Sequence, residues 1–447
     1  MSASDDYVLE DGARIGIIGG GPSGSFTAIF ALKMARMVGK DISVTIFEPK
    51  DFVRCGPVGC NHCGGVISEL LLQTLAVEGI NIPDTVLQRG INAYHLHTAV
   101  GSVAIATPRL ENTIATVHRG GGPLNMATHE KESFDAFLLA EAVRLGAEHQ
   151  PLKVDGLEFR QGKPCLKAQG REFADFDLVV GASGLKSPSS QVLESAGVGY
   201  RRPASVTAAI VEIPLDPAFI AAKFGNAIQL FLLPVKDIKF AAMIPKGNYA
   251  TVCILGKNLN TDRVNSFLQH ERVRGVLPPD WAGRPCCRCL PRMNVGAPRV
   301  PFADRFVVCG DAGSTRLFKD GLGAAYLMGK SVAITAVFQG VSAAHFREHY
   351  QPVYRSLIWD NYFGRYLFCV TDVYKRFPAL TKAMVAVVRE EQSDPRNPKR
   401  FSSILWNMFT GNERYKNIFS TAVSLPLHLD IWSELARILT RRHHATA

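Results

Sequence analysis

The stretch Ile15-Gly-Ile-Ile-Gly-Gly-Gly-Pro-Ser-Gly24 decides the fold. An apolar run ends in Gly19-x-Gly21-x-x-Gly24, and a helical stretch begins there. A second apolar run, Val44 to Phe47, ends at Glu48. Strand, glycine turn, helix, strand and acid in this order form a dinucleotide-binding fingerprint. Gly19 makes the tight turn. Gly21 lets backbone amides approach a pyrophosphate, and Gly24 lets the helix pack on the strand. The amides at Ser23 and its neighbours, at the positive end of the helix, attract phosphate. Glu48 accepts hydrogen bonds from ribose hydroxyls.

Working outward, residues 49–68 form a glycine- and cysteine-rich loop, and 69–78 have helical periodicity. Residues 91–118 alternate like antiparallel strands. Ser133 to Leu145 is an amphipathic helix stopped by Gly146. Phe176 to Val180 and Phe306 to Cys309 are apolar strands, each running into a glycine turn. Gly323 to Phe338 reads as a buried helix. The remainder reads as helical, broken near 393–398 and at Pro426. The nucleotide-binding elements therefore lie in 13–90, 126–190 and 300–340. An antiparallel-sheet substrate domain (91–125 and 191–299) is interleaved with them, and a helical region (341–447) follows.

The chain has 447 residues, 47% of them hydrophobic and 20% charged, which is ample for a large core. Its net charge is +10. From Val341 onward there are fifteen Lys/Arg against nine Asp/Glu, with sixteen of the forty aromatics. A cationic, aromatic-rich region suits peripheral contact with an anionic membrane; the competing reading is a helical domain packed on the rest. No nucleic-acid-binding module is recognisable, and the positive charge forms no stripe. The first residues, MSASDDYVLEDG, carry acids and no apolar core, so no signal peptide is expected. No run of 18 uninterrupted apolar residues exists, so no spanning helix is expected. Ten cysteines without a secretory signal point to a cytoplasmic protein with free thiols, peripheral at most to the inner membrane face.

Three blocks carry a resemblance. GIIGGGPSGS with Glu48, DLVVGASG ending at Gly184, and VVCGDAGSTRLFKDGLGAAY from Val307 to Tyr326 stand in the order found in FAD-dependent hydroxylases and geranylgeranyl reductases. The chain resembles the geranylgeranyl reductase-like branch most closely, through Cys63-Gly64-Gly65 and Ile244-Pro245-Lys246-Gly247. The resemblance implies an α/β fold with a Rossmann-like three-layer domain binding FAD. It implies that Gly310 and Asp311 hold a ribityl or ribose hydroxyl. Gly321, Gly323 and Ala324 would turn a helix N-terminus toward the flavin ring. Lys131 stands where the family commonly has an arginine near the cofactor. Phe240, Ala242, Ile244 and Pro245 stand where the family lines its lipid pocket. Several positions depart from the pattern: His62 replaces a proline, Ser183 an aspartate and Phe318 a proline.

The implied reaction is reduction of a carbon–carbon double bond in an isoprenoid or other apolar substrate. Cys63 is the candidate proton donor and His62 the second. The alternatives are flavin-dependent monooxygenation through a C4a-peroxide, or electron transfer docked to a membrane or partner. No second glycine-rich unit is present for a nicotinamide cofactor, so electrons come from an external donor: NAD(P)H, ferredoxin or a quinone. Cys55, Cys60 and Cys63 have a C-x4-C-x2-C spacing that Cys286, Cys287 or Cys289 could complete as an iron–sulfur or zinc site. Because the flavoprotein resemblance already accounts for Cys63, no metal is assigned. Cys165, Cys253, Cys309 and Cys369 read as core thiols. His95 and His97 alternate on one strand face without a third ligand, as in a half-exposed strand.

Overall fold

The computed structural model describes residues 7–109, 113–124, 132–185 and 188–445; Lys131 lies outside them. The strand Ala13–Ile18 is central. It pairs in parallel with Ile42–Phe47 on one side and Leu178–Gly181 on the other. Phe306–Val308 and Glu148–Gln150 extend the parallel sheet, and Phe302–Ala303 adds an antiparallel edge. The inner strands are covered on both faces, which is why they read as continuous apolar runs. Helices Pro22–Met37, Phe134–Arg144 and Gly321–Ile334 cover one face. Phe26 and Phe30 meet Tyr326 edge-on at 5.7 and 5.5 Å and lock the first helix to the last of these. A three-stranded antiparallel sheet (Val154–Arg160, Lys163–Ala168, Arg171–Phe173) covers the other face, with Phe173 against Phe47 at 4.9 Å. The result is a three-layer domain built from chain-separated segments.

A seven-stranded sheet forms the second unit. Its order is 287–289, 209–214, 249–256, 238–245, 227–232, 93–98, 101–106. Its pairings are antiparallel except between Ala93–Thr98 and Ala227–Leu232, which run parallel. More than a hundred residues separate that pair, so no tight turn dictates its direction. Side chains alternate between two cores. Val211, Phe231, Met243 and Val252 face helices Pro217–Lys223 and Thr261–Leu268. Leu230, Phe240 and Ile244 face the C-terminal helices, meeting Phe368, Met384 and Trp406.

Those helices are Gln351–Arg376, Pro378–Ser393, Arg400–Phe409, Tyr415–Ala422 and Leu425–Ala445. The break expected at 393–398 is present. So is the one expected at Pro426: the chain breaks at 423–424, and Pro426 sits in the first turn of the next helix, where its missing N–H has no intrahelical partner to lose. The segment Gly321–Gln339 is long and apolar enough to cross a membrane by length and composition, but 72% of its apolar window is buried inside the protein, as in a core helix.

Candidate cofactor and active site

The glycine turn is tight at two points and open at one. Gly19 has φ +110°, and a Cβ there would lie 2.5 Å from the Ala182 carbonyl oxygen. At Gly24 it would lie 1.9 Å from the Gly19 oxygen. Around Gly21 the nearest atom is Asn61 Nδ2 at 4.0 Å. Gly21 is also the N-cap of the first helix, with no side-chain cap and no acid in the first turn. The helix start therefore presents backbone N–H groups to open space, an anion site in waiting. Glu48 Oε2 accepts from Gly20 N at 2.9 Å and Oε1 from Lys50 N at 2.9 Å. Burial pushes its carboxyl up; the two amides and the Lys50 charge oppose this. Each oxygen keeps a lone pair for a ribose hydroxyl. The Ser23 hydroxyl turns inward instead, onto Cys309 Sγ at 2.9 Å, which leaves only its amide for phosphate.

At the far end, Asp311 lies in the turn Gly310–Ala312. Its side chain is accessible, although protein crowds closely around it. Burial raises its pKa and Arg119 opposes. Asn294 Nδ2 holds this loop through the carbonyls of Asp311 (3.0 Å) and Gly313 (3.1 Å). Gly184 opens on free space, while the buried Ser183 hydroxyl beside Gly19 makes no hydrogen bond. Of the expected helix start, Gly321 is exposed. The Gly323 amide donates to Asp320 Oδ1 at 3.1 Å, and Ala324 is fully buried in the core. Asp320 caps this helix and is paired with Arg316 at 2.6 Å, an arrangement the sequence did not suggest.

These groups fit an extended FAD: free amides for the pyrophosphate, a carboxylate for the ribose, an unbonded hydroxyl between, and an accessible carboxylate beyond.

Between the ends lies the cysteine loop. Lys246 is 1% exposed, and its ammonium donates to the carbonyls of Gly64 (2.8 Å), Gly65 (3.0 Å) and Val117 (3.0 Å). The two motif blocks, Cys63-Gly64-Gly65 and Pro245-Lys246-Gly247, are thus joined by one side chain. Burial lowers the Lys246 pKa and raises that of Glu212, and each charge opposes the other's shift. Arg119 grips the buried Asp135 with two bonds, Nε at 2.8 Å and Nη2 at 2.9 Å, and Asn61 Nδ2 donates to the same carboxylate at 2.8 Å. The Arg119 charge reaches both Cys63 and Asp311. Cys63 is half-buried; His62 adjoins it with φ +50°, its amide donating to Cys60 Sγ at 3.2 Å. Sequence reasoning missed Arg119; its signal was the His-Arg-Gly-Gly-Gly turn after the strand Ile114–Val117.

Other expected residues separate. Phe240 stacks on Phe368 (5.6 Å, interplanar angle 5°) and meets Phe409 at 4.7 Å, so it is packed rather than open to a cavity. Ile244 and Pro245 are buried too, and only Ala242, cross-strand from Cys253, is half-buried. Cys253 is half-buried against Gly64 rather than in the core, and Cys369 is exposed. Cys55 Sγ donates to the Gly121 carbonyl at 2.9 Å, and Cys287 Sγ accepts from Leu124 N at 2.9 Å. Among the described residues no three His, Cys, Asp or Glu side chains converge to hold a metal.

The chain matches no family model and no curated protein sequence. Solved structures do match. A geranylgeranyl bacteriochlorophyll reductase-like protein from Thermoplasma acidophilum aligns over 95% of this chain and 100% of its own, with TM-score 0.63 and 16% identity. The p-nitrophenol 4-monooxygenase PnpA of Pseudomonas putida aligns over 89% and 98%, with TM-score 0.61 and 13% identity. CtdE, solved in complex with FAD, aligns over 92% and 100%, with TM-score 0.56 and 16% identity. The chain has the fold of the FAD-dependent oxidoreductases, a fold shared by reductase-like proteins and monooxygenases.

Proposed function

We propose that this protein is an FAD-dependent oxidoreductase that reduces a carbon–carbon double bond in an apolar substrate. When bound and reduced, FAD supplies a hydride. The observation that carries the reading is the Lys246 ammonium on the carbonyls of Gly64 and Gly65. It fixes the loop bearing Cys63 against the sheet, on the side of Ala242 and Cys253. The Cys63 thiol holds the proton for the second carbon, and Arg119 stabilises the thiolate left behind. Arg119 itself is held by Asp135, so the pair positions the donor. Phe318, Phe368 and Phe409, packed around Phe240, exclude water from that side.

Electrons reach the flavin from an external donor: NAD(P)H, ferredoxin or a quinone. Exposed Trp359, Tyr362 and Tyr366 on one helix, and Leu429 and Trp432 on another, offer contact with an anionic membrane that holds the substrate. The test is anaerobic single turnover: pre-reduced protein mixed with an isoprenoid olefin reoxidises and yields the saturated product. A second reading is monooxygenation, favoured by the likeness to PnpA and by the small Ala242 where a bulkier residue would narrow the pocket. Reoxidation that requires oxygen and gives a hydroxylated product establishes it instead.

A further inference from the structure

A cleft of about 660 Å³ opens on the face of the seven-stranded sheet opposite the cysteine loop. That volume is in the range of small-molecule sites. Its floor is a hydrogen-bonded chain. Gln229, 2% exposed, has its carbonyl oxygen 2.9 Å from His97 Nε2 and its amide nitrogen 3.3 Å from His95 Nδ1. Ser102 Oγ lies 2.8 Å from His97 Nδ1. An amide oxygen only accepts, so His97 carries its proton on Nε2 and accepts from Ser102 at Nδ1. An amide nitrogen only donates, so His95 accepts at Nδ1 and carries its proton on Nε2. His97 is clamped further by stacking on Phe231 at 5.0 Å. One ring N–H, that of His95, is thereby left as an oriented donor in the cleft.

Cations complete the site. Lys223 and Arg272 line it, and Arg272 Nε is buried without a hydrogen bond. The one acid of the lining, Glu271, is 83% exposed and forms only a loose ion pair with Arg272 at 3.8 Å, too long for a hydrogen bond and well screened by water. Burial lowers the pKa of both imidazoles, and at His97 the Arg272 and Lys223 charges add to it, with the Gln229 bond opposing in each case. Neutral ring donors beside two cations match an oxyanion and repel a metal ion. We propose that this outer cleft binds a small organic anion, gripped at its phosphate or carboxylate group by Arg272, Lys223 and the His95 Nε2–H.

The full-length, FAD-loaded protein is titrated calorimetrically with inorganic phosphate and, separately, with citrate. Saturable binding of either is expected, weakened about tenfold or more in Arg272→Gln and in Lys223→Gln, since each loses a charge-assisted bond. Circular dichroism and thermal unfolding, unchanged in both variants, report that they are folded. Preference for phosphate or for citrate identifies the head group. No saturable binding of either anion up to about 10 mM, or undiminished binding in both folded variants, overturns the proposal.

Discussion

At the scale of single residues the account turns on Cys63 and its neighbours. Cys63→Ala is expected to take up FAD normally and lose about 10²- to 10⁴-fold in olefin reduction, the usual worth of a positioned acid. Reduction at the wild-type rate in stopped-flow single turnover would remove the thiol from the mechanism. Asp135 has a structural task with a measurable cost. Both partners of its ion pair are buried, at 0% and 11% side-chain exposure. Asp135→Asn leaves the Arg119 charge uncompensated and should cost about 3–5 kcal/mol in urea unfolding. Cys60 gives a pH signature. Burial pushes its thiol from 9.0 up to about 11, because the thiolate is the disfavoured form. Between those values the folded chain holds a proton that the unfolded chain has released. Its contribution to stability is therefore complete below pH 9 and is lost as the pH rises to about 11. Comparing wild type with Cys60→Ser in unfolding titrations at pH 8 and 10.5 isolates it; equal losses for both would contradict the assignment.

At the scale of elements, the turn–helix units were legible from the sequence and the clamps between them were not. Gly19, Gly21, Gly24 and Glu48 declare themselves because each acts within one βαβ unit, where spacing alone sets geometry. Asp311 is read the same way, from the strand that precedes it. Lys246 is different. In sequence it is a charge in a Pro-Lys-Gly turn, and nothing local says that it is buried on carbonyls some 180 positions away. Gly323 misled for a related reason: its place in a glycine-rich helix start suggests a free amide, but Asp320, held by Arg316, already caps it. Phe240 misled because its aromatic partners come from the C-terminal helices rather than from its own sheet. Lys246→Met is expected to take a donor from the Gly64, Gly65 and Val117 carbonyls, of which Gly65 keeps its bond from Val117 N. Some 2–4 kcal/mol of stability should be lost, together with faster amide hydrogen exchange across residues 60–65. An exchange pattern identical to wild type would show that the loop holds itself.

At the scale of the whole molecule, the C-terminal helices are part of the flavin domain's support. Asn361 accepts from Leu317 N at 2.7 Å and donates to the Thr315 carbonyl at 2.7 Å. Lys319 donates to the carbonyls of Asn407 and Glu413, both at 2.7 Å, and lies over the Tyr415 ring. Arg316 reaches the Gly411 carbonyl at 3.1 Å. The loop after Asp311 is thus stapled at both ends by residues far along the chain. The sequence set a detachable basic tail against a packed domain, and composition alone offered no way to choose. A chain cut after Tyr350 is expected to lose FAD and cooperative unfolding together, while a truncated chain that keeps its flavin would show the helices to be an appendage. One measurement bears most directly on the central claim, that an extended FAD lies from the Gly21 helix start to Asp311: titration of folded, flavin-free protein with FAD, followed by absorbance and flavin fluorescence. The account predicts saturation at one FAD per chain with micromolar or tighter affinity, abolished by Gly24→Val in protein that still shows native circular dichroism. A wild-type chain that is folded by the same criterion and takes up no FAD at those concentrations would contradict it.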